Sequence, residues 1–119
     1  MIYTAVTDKD DVRIIRLLVD NIMFHNYEQI FNKIKGSISD DISFIVLDME
    51  KVAFMDSLSI GMLVPLLLYA RRLDGDLVVV NAQDNIRKLF EILRLDKIIR
   101  LYGNVDEAVA SFGTVEEIE

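Results

Sequence analysis

Two kinds of segment alternate along this chain, and their alternation limits the folds that are open to it. Ser43–Met49 and Leu77–Val80 are short and almost entirely apolar, as is typical of strands that are covered on both faces of a sheet. Around them lie segments whose apolar residues recur at helical spacing. Strands that alternate with helices favour an α/β fold in which helices pack on a mostly parallel sheet.

About four helices are predicted. The first begins near Asn26 and has apolar residues at i, i+3, i+4, i+7 and i+11: Tyr27, Ile30, Phe31, Ile34 and Ile38. The second is expected over Leu58–Leu73, where Pro65 should introduce a kink because it cannot donate a backbone hydrogen bond. Helical spacing in Ile86–Leu93 predicts the third, and Val105–Phe112 is expected to be the last.

The chain is expected to begin with a β-hairpin. Ile2–Val6 and Val12–Leu18 are rich in β-branched residues, and a polar cluster separates them. A last strand is predicted over Ile98–Tyr102. The predicted order is ββαβαβαβα, a mixed and mostly parallel sheet with an N-terminal hairpin strand. We expect one domain over residues 1–112 and an acidic C-terminal tail over 113–119.

Composition excludes several classes of function. The net charge of −7 disfavours nucleic acid as a partner, because phosphate backbones are bound mainly by clustered lysine and arginine. The chain has no cysteine, so we expect neither disulfides nor a cysteine-ligated zinc site. Its longest apolar run, residues 60–70, is shorter than the roughly 20 residues that span a bilayer. The first residues lack the pattern of a signal peptide, so a cytoplasmic location without membrane insertion is expected.

No enzyme motif is evident. His25 is the only histidine, and the chain contains no Gly-x-Ser-x-Gly elbow, Walker loop or Gly-x-Gly-x-x-Gly turn. Asp8, Asp10 and Asp11 lack the glycine and the distal glutamate of a calcium loop, and are better explained as a solvated turn. We therefore expect no catalytic residues, no metal and no cofactor.

A phospho-accepting receiver domain is the other α/β fold that we considered. Asp48 ends a buried strand, as the acceptor of a receiver would. A receiver also needs two acidic residues after its first strand to hold Mg²⁺, whereas Asp10 and Asp11 fall in the hairpin turn. Asp48 is better explained as a strand-end residue.

The segment Phe54–Gly61 is the most informative for function. It connects a buried strand to the second helix, and either Asp56 or Ser57 could cap that helix. A phosphate on Ser57 would be tolerated at the positive end of the helix dipole, and it would add about −1.5 to −2 charges beside Asp56. Ser57 could equally be a cap and nothing more.

The helix that follows is apolar over roughly two thirds of its circumference, more than the stripe that a surface helix needs. One stripe contains Ile60 and Leu63, and another contains Leu58 and Met62. One of them must pack on the sheet, and the other is either covered within the domain or free to bind a partner. We expect Met62 to lie on an exposed and adaptable binding surface.

Several fragments together resemble one known family. They are Ile45–Asp48, Met55–Ser57, Leu77–Asn81, Leu95–Ile99 and Glu107–Ala108. Their order and spacing resemble the anti-sigma factor antagonists, which have the STAS fold, over about residues 3–112.

The resemblance implies a phosphorylation switch. In that family an anti-sigma factor, itself a serine kinase, phosphorylates the serine that corresponds to Ser57, and a serine phosphatase reverses this. The unphosphorylated antagonist binds the anti-sigma factor and frees the sigma factor. By the same resemblance Asp56 is the acidic neighbour, and the contact face begins at Leu58, Ser59 and Met62.

The chain departs from the family pattern at two places. Ser59 occupies a position where glycine is usual, which makes it a less favoured second acceptor. Met23 replaces an acidic residue that many members carry just before the first helix. Met23 and Phe24 could therefore be apolar anchors for the partner, or they could pack under the hairpin.

A different function would keep the same fold. STAS domains also serve as scaffolds and as accessory subunits of membrane transport machines. In such a protein Ser57 would be only a cap, and the apolar helix would form a permanent interface.

Overall fold

The computed structural model describes residues 2–117, with side chains described up to Gly113. Its regular elements are, in chain order, β1 (Thr4–Lys9), β2 (Val12–Leu17), β3 (Asn21–Ile22), α1 (Tyr27–Gly36), β4 (Phe44–Asp48), β5 (Phe54–Met55), α2 (Ser57–Gly61), α3 (Leu63–Arg72), β6 (Asp76–Val80), α4 (Asp84–Ile92), β7 (Leu101–Tyr102) and α5 (Val105–Glu117). The α/β class and the alternation of strands and helices are as predicted.

The main sheet has five strands in the order β1-β2-β4-β6-β7. Strand β1 pairs antiparallel with β2, and the other neighbours are parallel. Asp10 and Asp11 form the turn between β1 and β2 with φ angles of 52° and 64°, which aspartate tolerates better than most residues do. The predicted hairpin and the mostly parallel sheet are confirmed, although β1 extends to Lys9, so that Asp8 lies in the strand and not in the turn as expected.

Each central strand sends alternate side chains into two separate cores. Leu47 and Val79 point to the face that α1, α3 and α4 cover. Val46 and Val78 point to the opposite face, where Phe112 of α5 covers them. Because both faces are buried, these strands need apolar residues at successive positions, which explains the unbroken apolar runs in the sequence.

The predicted second helix is divided into α2 and α3 at Met62. The Met62 N–H donates to the Ser59 carbonyl at 3.1 Å, a tightened i→i−3 bond. Pro65 lies in the first turn of α3, where a backbone N–H has no partner within the helix and its loss costs little. The proline therefore does not kink a continuous helix, because a new helix begins just before it.

Two further predictions need correction. The strand expected over Ile98–Tyr102 consists of β7 alone, and a 3-10 turn over Leu95–Lys97 precedes it. Helix α5 does not end at Phe112 but continues to Glu117, so most of the predicted tail is helical. The last two residues of that tail lie outside the described part of the chain. The division into a domain and a tail stays a prediction.

The pattern of apolar residues did not predict the second, smaller sheet. Strand β3 pairs in parallel with β5, so that Asn21 lies opposite Phe54 and Ile22 opposite Met55. This pairing holds the segment after β2 against the segment that leads into α2. It thereby brings together two loops that are more than 30 residues apart in the sequence.

Gly75 lies where the chain passes from α3 to β6 in close contact with the backbone of Ser43. The Gly75 N–H donates to the Ala70 carbonyl at 2.9 Å, and the Asp76 N–H donates to the Ser43 carbonyl at 3.1 Å. A Cβ at residue 75 would overlap the carbonyl group of Ser43, which cannot move without breaking this connection.

We expect Gly75→Ala to lower the free energy of unfolding by about 1–3 kcal/mol, because it overpacks a rigid backbone contact. Urea unfolding measures this. Gly36→Ala is the matched control, since a Cβ at residue 36 meets no atom within 4 Å. Equal stability of the two variants would contradict the prediction.

Candidate functional site

The candidate site lies where β5 meets α2, and the segment before α1 packs beside it. The Ala53 and Phe54 N–H groups donate to the Asp20 carbonyl at 2.7 and 3.1 Å. The Asp56 N–H donates to the Ile22 carbonyl at 3.3 Å. These bonds fix the position of the loop that follows β3 relative to the first turn of α2.

Asp56, and not Ser57, caps α2. Its backbone is extended, with φ −84° and ψ 170°, and one carboxylate oxygen accepts from the Ser59 N–H at 2.8 Å. The other oxygen accepts from the Phe24 N–H at 3.0 Å. The Asp56 carboxylate therefore also joins α2 to the loop before α1.

The surroundings of Asp56 lower the pKa of its carboxyl below the ordinary value of 3.8. The largest cause is the Ser59 hydroxyl, followed by the Ser59 N–H, with smaller contributions from the Phe24 N–H and the charge of His25. The Ser59 hydroxyl is close enough to act on the carboxylate, although it makes no hydrogen bond of regular geometry within the described part of the chain.

The capping geometry predicts a specific stability profile. Asp56→Ala should lower the melting temperature by roughly 3–6 °C at neutral pH, whereas Asp56→Asn, which keeps a capping oxygen, should lower it less. Because folding lowers the Asp56 pKa, the unfolded chain takes up the proton first. The stability that this carboxylate provides is complete above pH 3.8 and is lost as the pH falls through the lowered pKa.

Thermal unfolding followed by circular dichroism between pH 2 and 7 tests this prediction. The melting temperature of wild type should fall to that of Asp56→Asn at the acidic end of that range. Equal melting temperatures for the alanine and asparagine variants would contradict the capping role.

Ser57 is left free by this arrangement. It is the first residue of α2, its side chain is exposed, and its hydroxyl makes no hydrogen bond within the described residues. Since Asp56 already caps the helix, Ser57 is not needed as a cap. The sequence had left this choice open, and the structure assigns the cap to Asp56.

Two of the expected partner-binding side chains are exposed beside Ser57. Leu58 is 57% exposed, and Phe24 is 69% exposed. The Phe24 ring meets His25 edge-on, with 5.5 Å between the ring centroids. Met23 is half-buried, and its N–H donates to the Asn26 side chain at 2.8 Å. Phe24 therefore faces outward, while Met23 helps to shape the loop.

Two other expected contact residues are buried. Ser59 is 0% exposed and Met62 is 5% exposed. Ser59 faces inward on the first turn of α2, and Met62 packs into the core shared by α1 and α3. The expectation that Met62 lies on an exposed binding surface is wrong, and the side chain of Ser59 is likewise withdrawn from any contact face. Of the stripe that contains Leu58 and Met62, only the end at Leu58 reaches solvent near the site.

We expect Met62→Ala to lower the free energy of unfolding by about 2–5 kcal/mol, because it leaves a cavity between α1 and α3. Leu58→Ala should change it much less, because Leu58 is mostly exposed. Urea unfolding of both variants distinguishes a core methionine from a surface one. A larger loss for Leu58→Ala would contradict the assignment.

A shallow groove of about 440 Å³ extends from Ser57 toward α4. Its walls include side chains that sequence reasoning did not single out: Phe54, Asn85, Lys88, Leu89 and Ile92. Phe54 is 45% exposed and Ile92 is 75% exposed. The groove is apolar with one lysine on its wall.

The Asn85 side chain attaches α4 to this site, since its amide donates to the Ala53 carbonyl at 2.8 Å. Helical periodicity could have shown that Leu89 and Ile92 lie on neighbouring parts of α4. It could not have shown that α4 lies beside β5, because that contact depends on the packing of the whole sheet.

The remaining candidate residue, Asp48, has a structural role. Asp48 is buried and accepts from the Asn81 amide and the Glu50 N–H, each at 3.1 Å, which supports its role at a strand end. Among the side chains of residues 2–113, no three or more of metal-ligating type gather into a group. Within residues 2–117 no helix has both the length and the apolar character needed to cross a membrane.

Comparison with known proteins identifies the fold. The model of the STAS domain family matches residues 3–108. The Thermotoga neapolitana homolog of the anti-sigma factor antagonist TM1081 is 28% identical over 65 residues. That match covers 55% of this chain and 58% of the relative, so the chain matches little more than half the length of that protein.

Solved structures agree with this result. An anti-sigma factor antagonist domain protein from Planctomyces limnophilus has a TM-score of 0.83 at 18% identity, over 92% of this chain and 97% of that one. The Bacillus protein SpoIIAA in its phosphorylated form has a TM-score of 0.66 at 22% identity, over 92% and 98%. The murine anion transporter Slc26a9 has a TM-score of 0.75 at 17% identity, over 87% of this chain and 18% of that one.

Proposed function

The chain belongs to the STAS domain family, and from that premise we propose that it is an anti-sigma factor antagonist that switches partners in the cytoplasm. It acts by binding and carries out no chemistry of its own. When unphosphorylated it binds an anti-sigma factor serine kinase and so frees a sigma factor. Phosphorylation of Ser57 releases the antagonist from the kinase, and a serine phosphatase removes the phosphate so that the antagonist can bind again.

One observation carries the proposal: Ser57 is an exposed hydroxyl that the fold does not use. Asp56 performs the capping that would otherwise occupy Ser57. Leu58 follows Ser57 directly and the Phe24 backbone is bonded to Asp56, so both expose apolar surface near Ser57, which also lines the groove toward α4. An accessible hydroxyl within an apolar surface can be modified, and its modification would alter whatever binds there.

The charge of a phosphate explains the release. A phosphate on Ser57 would bring about −1.5 to −2 charges into this apolar surface. Asp56 already holds the Ser59 N–H, so the phosphate could not replace it as the acceptor without breaking the cap. A partner that covers Leu58 and Phe24 would have to desolvate the new charge, which is costly.

The comparisons are consistent with such a switch. SpoIIAA, which shares this fold, has been solved in both an unphosphorylated and a phosphorylated form. Two forms of one compact domain suit a mechanism in which phosphate changes the binding surface and leaves the architecture intact. In the same way, an exposed Ser57 could be phosphorylated without disturbing either core.

We expect Ser57→Asp to weaken the complex with the anti-sigma factor kinase by at least a few kcal/mol, because it places a charge in the docking surface. Ser57→Ala should bind as wild type does. Titration calorimetry with the purified kinase measures both. Ser39→Asp is the control for net charge, since Ser39 is exposed and follows the end of α1, whereas Phe24 at the site lies before the start of that helix. Equal affinities for wild type and Ser57→Asp would contradict the proposal.

Phosphorylation itself can be located by mass spectrometry after incubation with ATP and the kinase. The label should fall on Ser57 and disappear in Ser57→Ala. Ser59 should stay unlabelled, because its hydroxyl is sealed from solvent. The phosphatase should remove the label and restore binding. Persistent absence of label from wild type would count against the switch.

The resemblance to the domain within Slc26a9 supports a second candidate, a scaffold or an accessory subunit of a transport or signalling complex. In that case the surface around Ser57 would be a permanent interface. Tight binding that Ser57→Asp leaves unchanged, together with unlabelled Ser57, would favour this function over the switch.

A further inference from the structure

A second groove lies between α1 and α3, and it shares no lining residue with the groove toward α4. It has two adjoining parts, of about 350 and 180 Å³, which share Phe31 and Pro65 as lining residues. Its other apolar lining residues are Tyr27, Met62, Leu68 and Tyr69. Leu68 is 49% exposed, so an apolar side chain faces solvent in the smaller part of the groove.

Acidic and basic residues lie at opposite ends of this groove. Glu28 lines the part near the start of α1, whereas Lys35 and Arg72 line the part near the ends of α1 and α3. None of the three forms an ion pair within the described residues, although Lys35 lies 5.0 Å from the centre of the Tyr69 ring. One end of the groove is therefore acidic and the other basic.

We propose that this groove is the interface of a homodimer, in which a second copy of the chain packs antiparallel across α1 and α3. A two-fold axis near Phe31 and Pro65 would place Glu28 of each copy opposite Arg72 of the other. Such an interface requires a surface that complements itself, and opposite charges at opposite ends satisfy that requirement.

The spacing and the helix dipoles agree with this arrangement. Glu28 and Lys35 are seven residues apart on one helix, so their positions differ by roughly 10 Å along its axis. Lining residues show that the first turns of α1 and α3 lie together, as do their last turns. The two helices of each copy therefore run in the same direction, and an antiparallel copy would oppose their dipoles favourably.

The dimer interface is distinct from the groove at Ser57. Ser57 lines the groove toward α4, and no residue of that groove is shared with the one between α1 and α3. The inference thus does not depend on the phosphorylation switch, and the two can fail separately. A surface this small is expected to give a weak dimer, with a dissociation constant in the range of about 10 µM to 1 mM.

Sedimentation of the full chain between about 10 µM and 1 mM tests the proposal. Wild type should pass from monomer to dimer as the concentration rises. Leu68→Lys should weaken association at least tenfold while the circular dichroism spectrum stays unchanged, because Leu68 is half exposed. Wild type that stays monomeric throughout, or a dimer that Leu68→Lys does not weaken, would overturn the proposal.

A charge exchange tests the antiparallel orientation. Glu28→Arg and Arg72→Glu should each be monomeric alone, since like charges then meet at both ends. Mixed together they should form a heterodimer, because both contacts again join opposite charges. Lys33→Glu is the control, since Lys33 is exposed on α1 but does not line the groove. Failure of the mixture to associate more tightly than either variant alone would overturn the orientation.

Kinase binding distinguishes the proposed dimer interface from the surface that binds the kinase. Ser57→Asp should leave dimerisation unchanged, and Leu68→Lys should leave kinase binding unchanged. If Leu68→Lys instead abolished binding of the kinase, the groove would belong to the partner surface and the dimer proposal would be overturned.

Discussion

The site depends on one carboxylate that bonds to two segments at once. Asp56 accepts from the Ser59 N–H of its own helix and from the Phe24 N–H of a loop 32 residues earlier. The first bond starts α2 and leaves Ser57 without a structural task. The second holds the loop that carries the exposed Phe24 ring against the start of α2. A single side chain thus assembles the surface from two distant parts of the chain, and it does so at the residue next to the hydroxyl that would be modified.

The fold could be read from the sequence because its strongest signals are local. Unbroken apolar runs such as Ser43–Met49 occur where a strand is covered on both faces, and β4 has its two cores on either side. Helix ends were harder to predict. Pro65 was expected to kink a long helix, but the proline fits the first turn of a new one without loss. The pattern of apolar residues continues across Met62, so periodicity alone could not reveal the break.

The candidate site was only partly predictable, because burial near a helix start depends on what packs against it. Ser57 and Leu58 were placed correctly on an exposed turn. Met62 was placed wrongly, since its exposure depends on α1, which the helical wheel of α2 and α3 does not include. Phe54 and Ile92 were missed for a similar reason. They meet only because β3 pairs with β5 and Asn85 attaches α4 to that pair.

The division between α2 and α3 has a mechanical consequence. Helix α2, which carries Ser57 and Leu58 of the proposed docking surface, has only five residues, and its hydrogen-bond ladder does not continue through Pro65 into α3. A displacement at Ser57 can therefore be taken up by a change of angle at Met62, because no continuous ladder of helical hydrogen bonds joins the two helices. Ile60 stays buried and anchors α2 on the core, so the exposed first turn at Ser57 and Leu58 is the part that can adjust while α3 keeps its register on the sheet.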